Sequence, residues 1–181
     1  MSLRLSAARI FLPPFLRKKY LGKLFGLTAE AFGVPVPAFE GTSDEARLRL
    51  FASFTRENAL RILAAGNAGA GGERLYRNAR AFGEELRKSL GVRTFAEALA
   101  AARLLYGAIG IDFEGAPDGT VVIRSCRFAA AYTPEICGFI SSLDRGILSG
   151  LAGGGDLRFV GRLTEGNDSC RAEFRPEGGH G

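Results

Sequence analysis

A change of hydrophobic periodicity near Ile111 constrains the fold of this 181-residue chain more than any other feature. Before that point, apolar residues such as Leu75, Ala79 and Phe82 recur at three- and four-residue spacings, which is the period of an amphipathic helix. After it, residues 120–128 are rich in β-branched side chains, which favour strands. Helices that precede strands in this way predict an α+β domain.

Short polar signals predict where the helices begin. Thr42 with Glu45, and Thr94 with Glu97, have the spacing of a capping box, in which each side chain bonds the other's backbone N–H. Thr133 precedes a proline and an acid, and this order is typical of an N-cap and first turn. The sequence therefore predicts helices that start at these three places.

The last third of the chain predicts a small sheet. Residues 157–163 and 170–175 have the composition of two antiparallel strands joined by a glycine-containing turn, and a helix over 134–151 separates them from the strand at 120–128. Alternate residues from Cys170 to Phe174 share an apolar face. We expect an α+β fold with N-terminal helices followed by a small antiparallel sheet with one inserted helix.

The N-terminal 40 residues differ in charge from the remainder. Residues 1–23 contain six of the 24 Lys and Arg residues, interleaved with large apolar side chains, and no acid. We expect residues 1–40 to form a basic amphipathic arm, 41–176 a single domain and 177–181 a disordered tail. We expect the arm to pack on its own domain or on a second subunit, and in the second case the protein forms a homo-oligomer. Alternatively, the arm lies on a membrane surface.

Charge and cysteine content narrow the partners and the compartment. The net charge of +5 belongs to the arm, because the remaining chain carries 18 bases and 19 acids. This balance argues against a broad nucleic-acid surface. Three cysteines without paired spacing do not resemble a secreted disulfide framework, and no signal peptide is evident. We expect a cytoplasmic protein without a nucleic-acid partner.

The position of the histidine argues against catalysis that uses a histidine base. The single histidine, His180, lies in a glycine-rich stretch next to the last residue of the sequence. A serine or cysteine nucleophile that uses a histidine base needs that base held rigidly within hydrogen-bond reach. Catalysis of that kind is therefore not expected.

The helix over 134–151 contains the most informative polar pattern. Cys137, Ser141 and Asp144 fall at i, i+4 and i+7, so they share one face and could line a pocket. In the alternative interpretation, Cys137 is a small buried hydrophobe, Ser141 is exposed, and Asp144 pairs with Arg127 or Arg145. The sequence leaves both interpretations open.

All three cysteines lie in the last third of the chain. Cys126 is near the end of a predicted strand, Cys137 is in a first helical turn, and Cys170 begins the last strand. Three thiolates with Asp144 or water would satisfy tetrahedral zinc. However, no Cys-x-x-Cys pair is present, so the cofactor stays unknown, with zinc as one alternative.

Residues 125–174 resemble the C-terminal part of the L-2-amino-thiazoline-4-carboxylic acid hydrolase family. In that family, a cysteine-bearing strand precedes a helix with cysteine and aspartate, and a Gly-Asp-x-x-Cys turn precedes the last strand. The matching segments here are Ser125-Cys126-Arg127-Phe128, Pro134-Glu135-Ile136-Cys137, Asp144-Arg145, Gly150-Leu151, Leu157-Arg158-Phe159 and Glu165-Gly166-Asn167-Asp168-Ser169-Cys170.

The resemblance implies a hydrolase that acts on a C=N bond of a small cyclic amidine-like substrate. It implies that Cys137 and Asp144 flank the reacting carbon, with Asp144 orienting water or shuttling a proton. It further implies that Arg127 or Arg145 holds a substrate carboxylate, which guanidinium grips bidentately. The remaining predicted substrate-binding residues are Ser141, Cys126 and Cys170.

The same outline also resembles the 4-vinyl reductase domain family. The matching residues are Leu75-Tyr76 through Leu86, Cys137 with Gly146 and Gly150, and Cys170 with Phe174. This second resemblance implies a non-catalytic sensor module that binds a small molecule or a metal.

Overall fold

The computed structural model describes residues 14–39 and 41–177. The described residues form five α-helices and a four-stranded antiparallel sheet, which confirms the predicted α+β fold with N-terminal helices. The helices are α1 (Pro14–Phe32), α2 (Asp44–Ala64), α3 (Ala68–Leu90), α4 (Phe95–Ala108) and α5 (Pro134–Ala152), and the strands are β1 (Ile111–Gly115), β2 (Thr120–Cys126), β3 (Asp156–Gly161) and β4 (Cys170–Arg175). None of these helices is both long and apolar enough to cross a membrane.

The strand order is β1-β2-β4-β3, so the last strand lies between its two predecessors. Helix α5 connects β2 to β3 and packs against β3, while α4 packs against β1. On β4, Cys170, Ala172 and Phe174 are buried, whereas the intervening residues are exposed, as the alternation predicts. The opposite face of β4 therefore meets solvent.

Two of the three predicted helix starts are confirmed. Thr94 and Glu97 form a capping box at α4, and the Thr133 hydroxyl accepts a hydrogen bond from the Ile136 N–H at α5. The capping box predicted at Thr42 is wrong, because Ser43 is the N-cap of α2. The Thr42 hydroxyl instead donates to the Phe39 carbonyl oxygen, 2.6 Å away. This side chain therefore stabilises the turn that precedes α2 and does not cap the helix.

Helix α1 contributes to the central core. Phe25 is fully buried, and its ring contacts those of Phe39, Phe51 and Phe54. Lys18 and Lys19, on the same helix, are exposed. This part of the predicted arm thus packs on its own domain, because its apolar side chains gain by leaving water. Residues 1–13, and residues 178–181 of the predicted tail, lie outside the described part of the chain.

Helices α3 and α5 approach each other closely through glycines. A Cβ at Gly146 would lie 2.4 Å from the Tyr76 carbonyl oxygen, and one at Gly150 would lie 2.2 Å from the Arg80 carbonyl oxygen. Such distances admit no side chain at these two positions of α5. The glycine contact therefore sets the position of α5, which contains four of the predicted site residues.

We expect Gly146→Ala to lower the free energy of unfolding by about 1–3 kcal/mol, because the helices must separate to admit the methyl group. Gly138→Ala is the matched control on the same helix, since a Cβ there meets nothing within 4 Å. The control should raise stability by up to about 1 kcal/mol through helix propensity. Urea unfolding of both variants measures this, and equal effects would contradict the prediction.

Candidate functional site

A small cavity lies between α5, the sheet and the loop that joins β2 to α5. Its volume is about 80 Å³, which is well above the ~10–15 Å³ that a cavity needs to hold one water molecule. Most of its wall is aliphatic or aromatic. Five of the seven predicted site residues line it, namely Cys126, Cys137, Ser141, Asp144 and Cys170.

Local geometry explains why these five residues converge. Cys126 ends β2, and Cys170 begins the neighbouring strand, where it is paired with Ile123 of β2. The residues from α5 share one helical face, as their spacing predicts. That face lies across the helix from Gly146, because successive residues rotate by about 100°. Because one side of α5 is in close contact with α3, the opposite side, which carries Cys137, Ser141 and Asp144, faces the cavity.

Asp144 is the central polar group of the cavity. It is half-buried and forms part of the cavity wall. Burial raises the pKa of its carboxyl group to about 6, while a hydrogen bond from Tyr106 and the charge of Arg162 act in the opposite direction. A carboxyl group with this pKa is partly protonated near neutral pH and can both accept and donate a proton.

Tyr106 is the direct partner of Asp144. Its hydroxyl donates to Asp144 Oδ1 over 2.9 Å, and its ring stacks on Phe113 at 5.0 Å between centroids. Burial, followed by the neighbouring carboxylate, raises the pKa of the Tyr106 phenol well above its ordinary value. Tyr106 is thus a neutral donor that holds the carboxylate in one orientation. The sequence analysis missed it, since it lies among the apolar residues of α4.

The three thiols are protonated at neutral pH. Burial raises the pKa of Cys126 to about 12, and it is also the largest cause of the raised pKa values of Cys137 and Cys170. The nearby Asp144 carboxylate raises all three further. Because the thiolate is the reactive form, these cysteines behave as small hydrophobes rather than as nucleophiles.

The cysteines are not assembled as a zinc site. Within residues 14–39 and 41–177, no three His, Cys, Asp or Glu side chains are grouped so that they could hold a metal ion. Cys126, Cys137 and Cys170 therefore border the same cavity without being grouped as ligands of a metal ion.

Ser141 is buried, whereas one of the two sequence interpretations left it exposed. Its hydroxyl donates to the Cys137 carbonyl oxygen at 2.7 Å, a common bond to the preceding turn of a helix. The hydroxyl proton is therefore used within α5. Ser141 offers the cavity only its oxygen lone pairs.

The structure does not bring the two predicted arginines to the cavity. Arg127 forms an ion pair with Glu45 at 2.5 Å, and Arg145 forms one with Asp156 at 2.9 Å. Both guanidinium groups lie at the surface. Arg145 follows Asp144 on α5, and the rotation of about 100° per residue turns it away from the cavity.

Three further polar residues surround the cavity and were not predicted. Tyr132 and Thr164 line it, and Arg162 lies close enough to lower the pKa of Asp144. The Tyr132 hydroxyl is hydrogen-bonded to Thr55 at 2.5 Å, which attaches the loop of residues 127–133 to α2. No local spacing in the sequence links these residues to one another.

The raised pKa of Asp144 predicts a specific pH dependence of stability. Between pH 4 and pH 6 the folded protein binds more protons than the unfolded chain, so this carboxyl group destabilises the fold as pH rises. Asp144→Asn removes the effect. The stability of this variant relative to wild type should therefore increase by about 2 kcal/mol between pH 4 and pH 7.

Urea unfolding of both proteins at several pH values measures this difference. Asp112→Asn, at an exposed position on β1, controls for the loss of one carboxylate. Parallel stability curves for wild type and Asp144→Asn would show that Asp144 titrates normally.

Comparisons of the chain with protein-family models, with curated proteins and with solved structures found no match. The two family resemblances, one of residues 125–174 and the other including residues 75–86, therefore stay predictions. The candidate site rests on its own geometry.

Proposed function

We propose that the protein binds a small, largely apolar molecule in the cavity beneath α5. The observation that carries this proposal is a mostly apolar cavity that contains the part-buried Asp144–Tyr106 hydrogen bond. A concave, mostly apolar space with a few placed polar groups is the usual form of a small-molecule site. The neutral thiols add apolar surface to it.

The size of the cavity limits the ligand. Sites for drug-sized ligands commonly measure about 300–1,000 Å³, whereas this cavity measures about 80 Å³. A ligand therefore has only a few non-hydrogen atoms, or the cavity expands around it. Residues 127–133 are the segment that would move, because Phe128, Ala129 and Tyr132 line the cavity and belong to a loop.

The proposal retains several predictions from the sequence. A small molecule is the partner, no nucleic acid is bound, and the cytoplasm is the expected compartment. Binding to a membrane surface and homo-oligomer formation stay predictions too, since both depend on the N-terminal arm, whose first 13 residues lie outside the described part of the chain.

Xenon tests whether the cavity accepts an apolar ligand, because xenon enters dry cavities without needing polar contacts. We expect a saturable ¹²⁹Xe NMR shift with wild type and its loss in Cys126→Leu, which fills the space from the wall. Ser125→Leu is the matched control, because Ser125 is exposed on the same strand. A xenon shift that Cys126→Leu leaves unchanged would contradict binding at this cavity.

A second candidate function is hydrolysis of a C=N bond, as the first family resemblance implies. The pKa of about 6 at Asp144 favours it, because a general base works best when its pKa is near the working pH. Asp144 would take a proton from water as the hydroxide oxygen bonds to the substrate carbon. The protonated carboxyl group would then give that proton to the substrate nitrogen, which completes the addition of water across the C=N bond. Asp144 would next take the proton of the new hydroxyl group as its C=O bond forms, and would give it to the nitrogen as the remaining C–N bond breaks. No thiolate is needed.

If the protein is such a hydrolase, Asp144→Asn should lower kcat by about 10²- to 10⁴-fold. Arg127→Met and Arg145→Met should leave kcat and KM nearly unchanged, because their side chains form surface ion pairs with Glu45 and Asp156. Ring opening of 2-aminothiazoline carboxylate and related cyclic amidines, followed by NMR, measures this. Wild-type protein that opens none of them would eliminate the hydrolase and leave the binding function.

A further inference from the structure

Strand β1 has one free edge, because β2 is its only strand partner within the described part of the chain. The Gly110 carbonyl oxygen and the Ala116 N–H, just outside the two ends of β1, are hydrogen-bonded to residues at or next to the ends of β2. Backbone groups alternate in direction along an antiparallel strand. The residues of β1 that direct both N–H and C=O away from β2 are therefore Ile111, Phe113 and Gly115.

A groove of about 770 Å³ lies between α4 and β1. Its α4 wall includes four residues on one helical face, and all but the arginine are small: Ala96, Ala100, Arg103 and Gly107. The last two residues of β1 line this groove, and the first three line an adjoining groove of about 380 Å³ that shares Arg103 and Gly107. The two grooves together follow β1 over its full length, and the small residues of α4 leave room beside the strand.

An extended peptide fits a groove of this form. A helix on one side and a strand edge with unpaired backbone groups on the other are the elements of peptide recognition by strand addition. Hydrogen bonds between the two main chains supply affinity, and pockets for alternate side chains supply specificity. Because a strand advances about 3.3 Å per residue, a peptide of about five residues matches the length of β1.

The charges on β1 determine which peptide fits. Asp112 and Glu114 are exposed, on the face of β1 that points away from the core. An added strand places alternate side chains beside these two carboxylates, with Cβ atoms about 5 Å apart, where opposite charges attract. Glu114 is already paired with Arg124 of β2, so Asp112 supplies most of the attraction. Lys or Arg at these positions, with small apolar residues facing α4 between them, is complementary to both sides of the groove.

A second copy of β1 is a poor occupant of the same edge. Antiparallel pairing of two copies aligns their outward-facing backbone groups, and each such register that overlaps most of the strand sets Asp112 or Glu114 opposite one of the same two acids. Like charges directly opposite one another destabilise a sheet. Charged side chains on an edge strand commonly prevent self-association in this way. The acids of β1 therefore favour a basic partner over a second copy.

We propose that the groove between α4 and β1 binds an extended segment of a partner protein, which adds to the sheet as a strand next to β1. The segment has Lys or Arg alternating with small apolar residues over about five positions. The larger groove shares no lining residue with the cavity beneath α5, so this proposal does not depend on small-molecule binding.

Short peptides, acetylated and amidated at their ends, test the site. Ala-Lys-Val-Lys-Ala has the expected charges, Ala-Glu-Val-Glu-Ala reverses them, and Ala-Lys-Pro-Lys-Ala lacks the central N–H donor. NMR titration at pH 7 measures the affinity of each peptide for the full chain, and amide hydrogen exchange shows which backbone groups it covers. The basic peptide should slow exchange at the N–H groups of Phe113 and Gly115, and the proline peptide should not.

We expect the basic peptide to bind wild type about three- to tenfold more tightly than the acidic peptide, through charge pairs beside Asp112 and Glu114. Asp112→Lys changes an exposed side chain and should reverse this preference. Ala100→Phe should abolish binding of the basic peptide by filling the groove from α4. Ala81→Phe, at an exposed position of α3, is the matched control and should leave binding unchanged.

The proposal is overturned if the basic peptide does not bind, if it binds no more tightly than the acidic peptide, or if it leaves exchange at Phe113 and Gly115 unchanged. Slow exchange at both groups in the free protein would also overturn it, since the edge would then already be covered. Protection that rises with protein concentration would identify a second copy as the occupant. Xenon binding beneath α5 is independent of these results, so the two proposals fail separately.

Discussion

The close approach of α3 and α5 is the constraint on which the site depends. Gly146 and Gly150 of α5 lie against backbone carbonyl groups of α3, where no side chain fits. This contact determines both the depth and the rotation of α5. As a result, Cys137, Ser141 and Asp144 face the cavity on the other side of the helix, and a shift of this packing would move all three together.

A buried carboxylate costs free energy, and the surrounding residues offset only part of that cost. The Tyr106 hydroxyl and the charge of Arg162 favour the ionised form of Asp144, yet burial outweighs them and leaves the pKa at about 6. An Asn or Leu at this position would avoid the cost. Groups with strongly shifted pKa values cluster at functional sites, and Asp144 is such a group in the wall of a mostly apolar cavity.

The chemical roles of the three cysteines and the two surface arginines depend on where these side chains lie in the fold. Burial keeps the thiols protonated, so they contribute apolar wall rather than nucleophiles. Arg127 and Arg145 were predicted to hold a substrate, but Glu45 and Asp156 pair with them at the surface. Those partners lie 82 and 11 residues away in the sequence, so no local pattern identifies them.

Local patterns in the sequence determined the helix starts at Thr94 and Thr133, the alternation along β4 and the shared face of Cys137, Ser141 and Asp144. These features depend on contacts within a few residues, which periodicity and capping describe. Only the tertiary structure joined Tyr106 and Thr164 to that face and raised the pKa of Asp144. Both outcomes depend on elements that are distant in the chain, and no local spacing indicates which of these elements will meet.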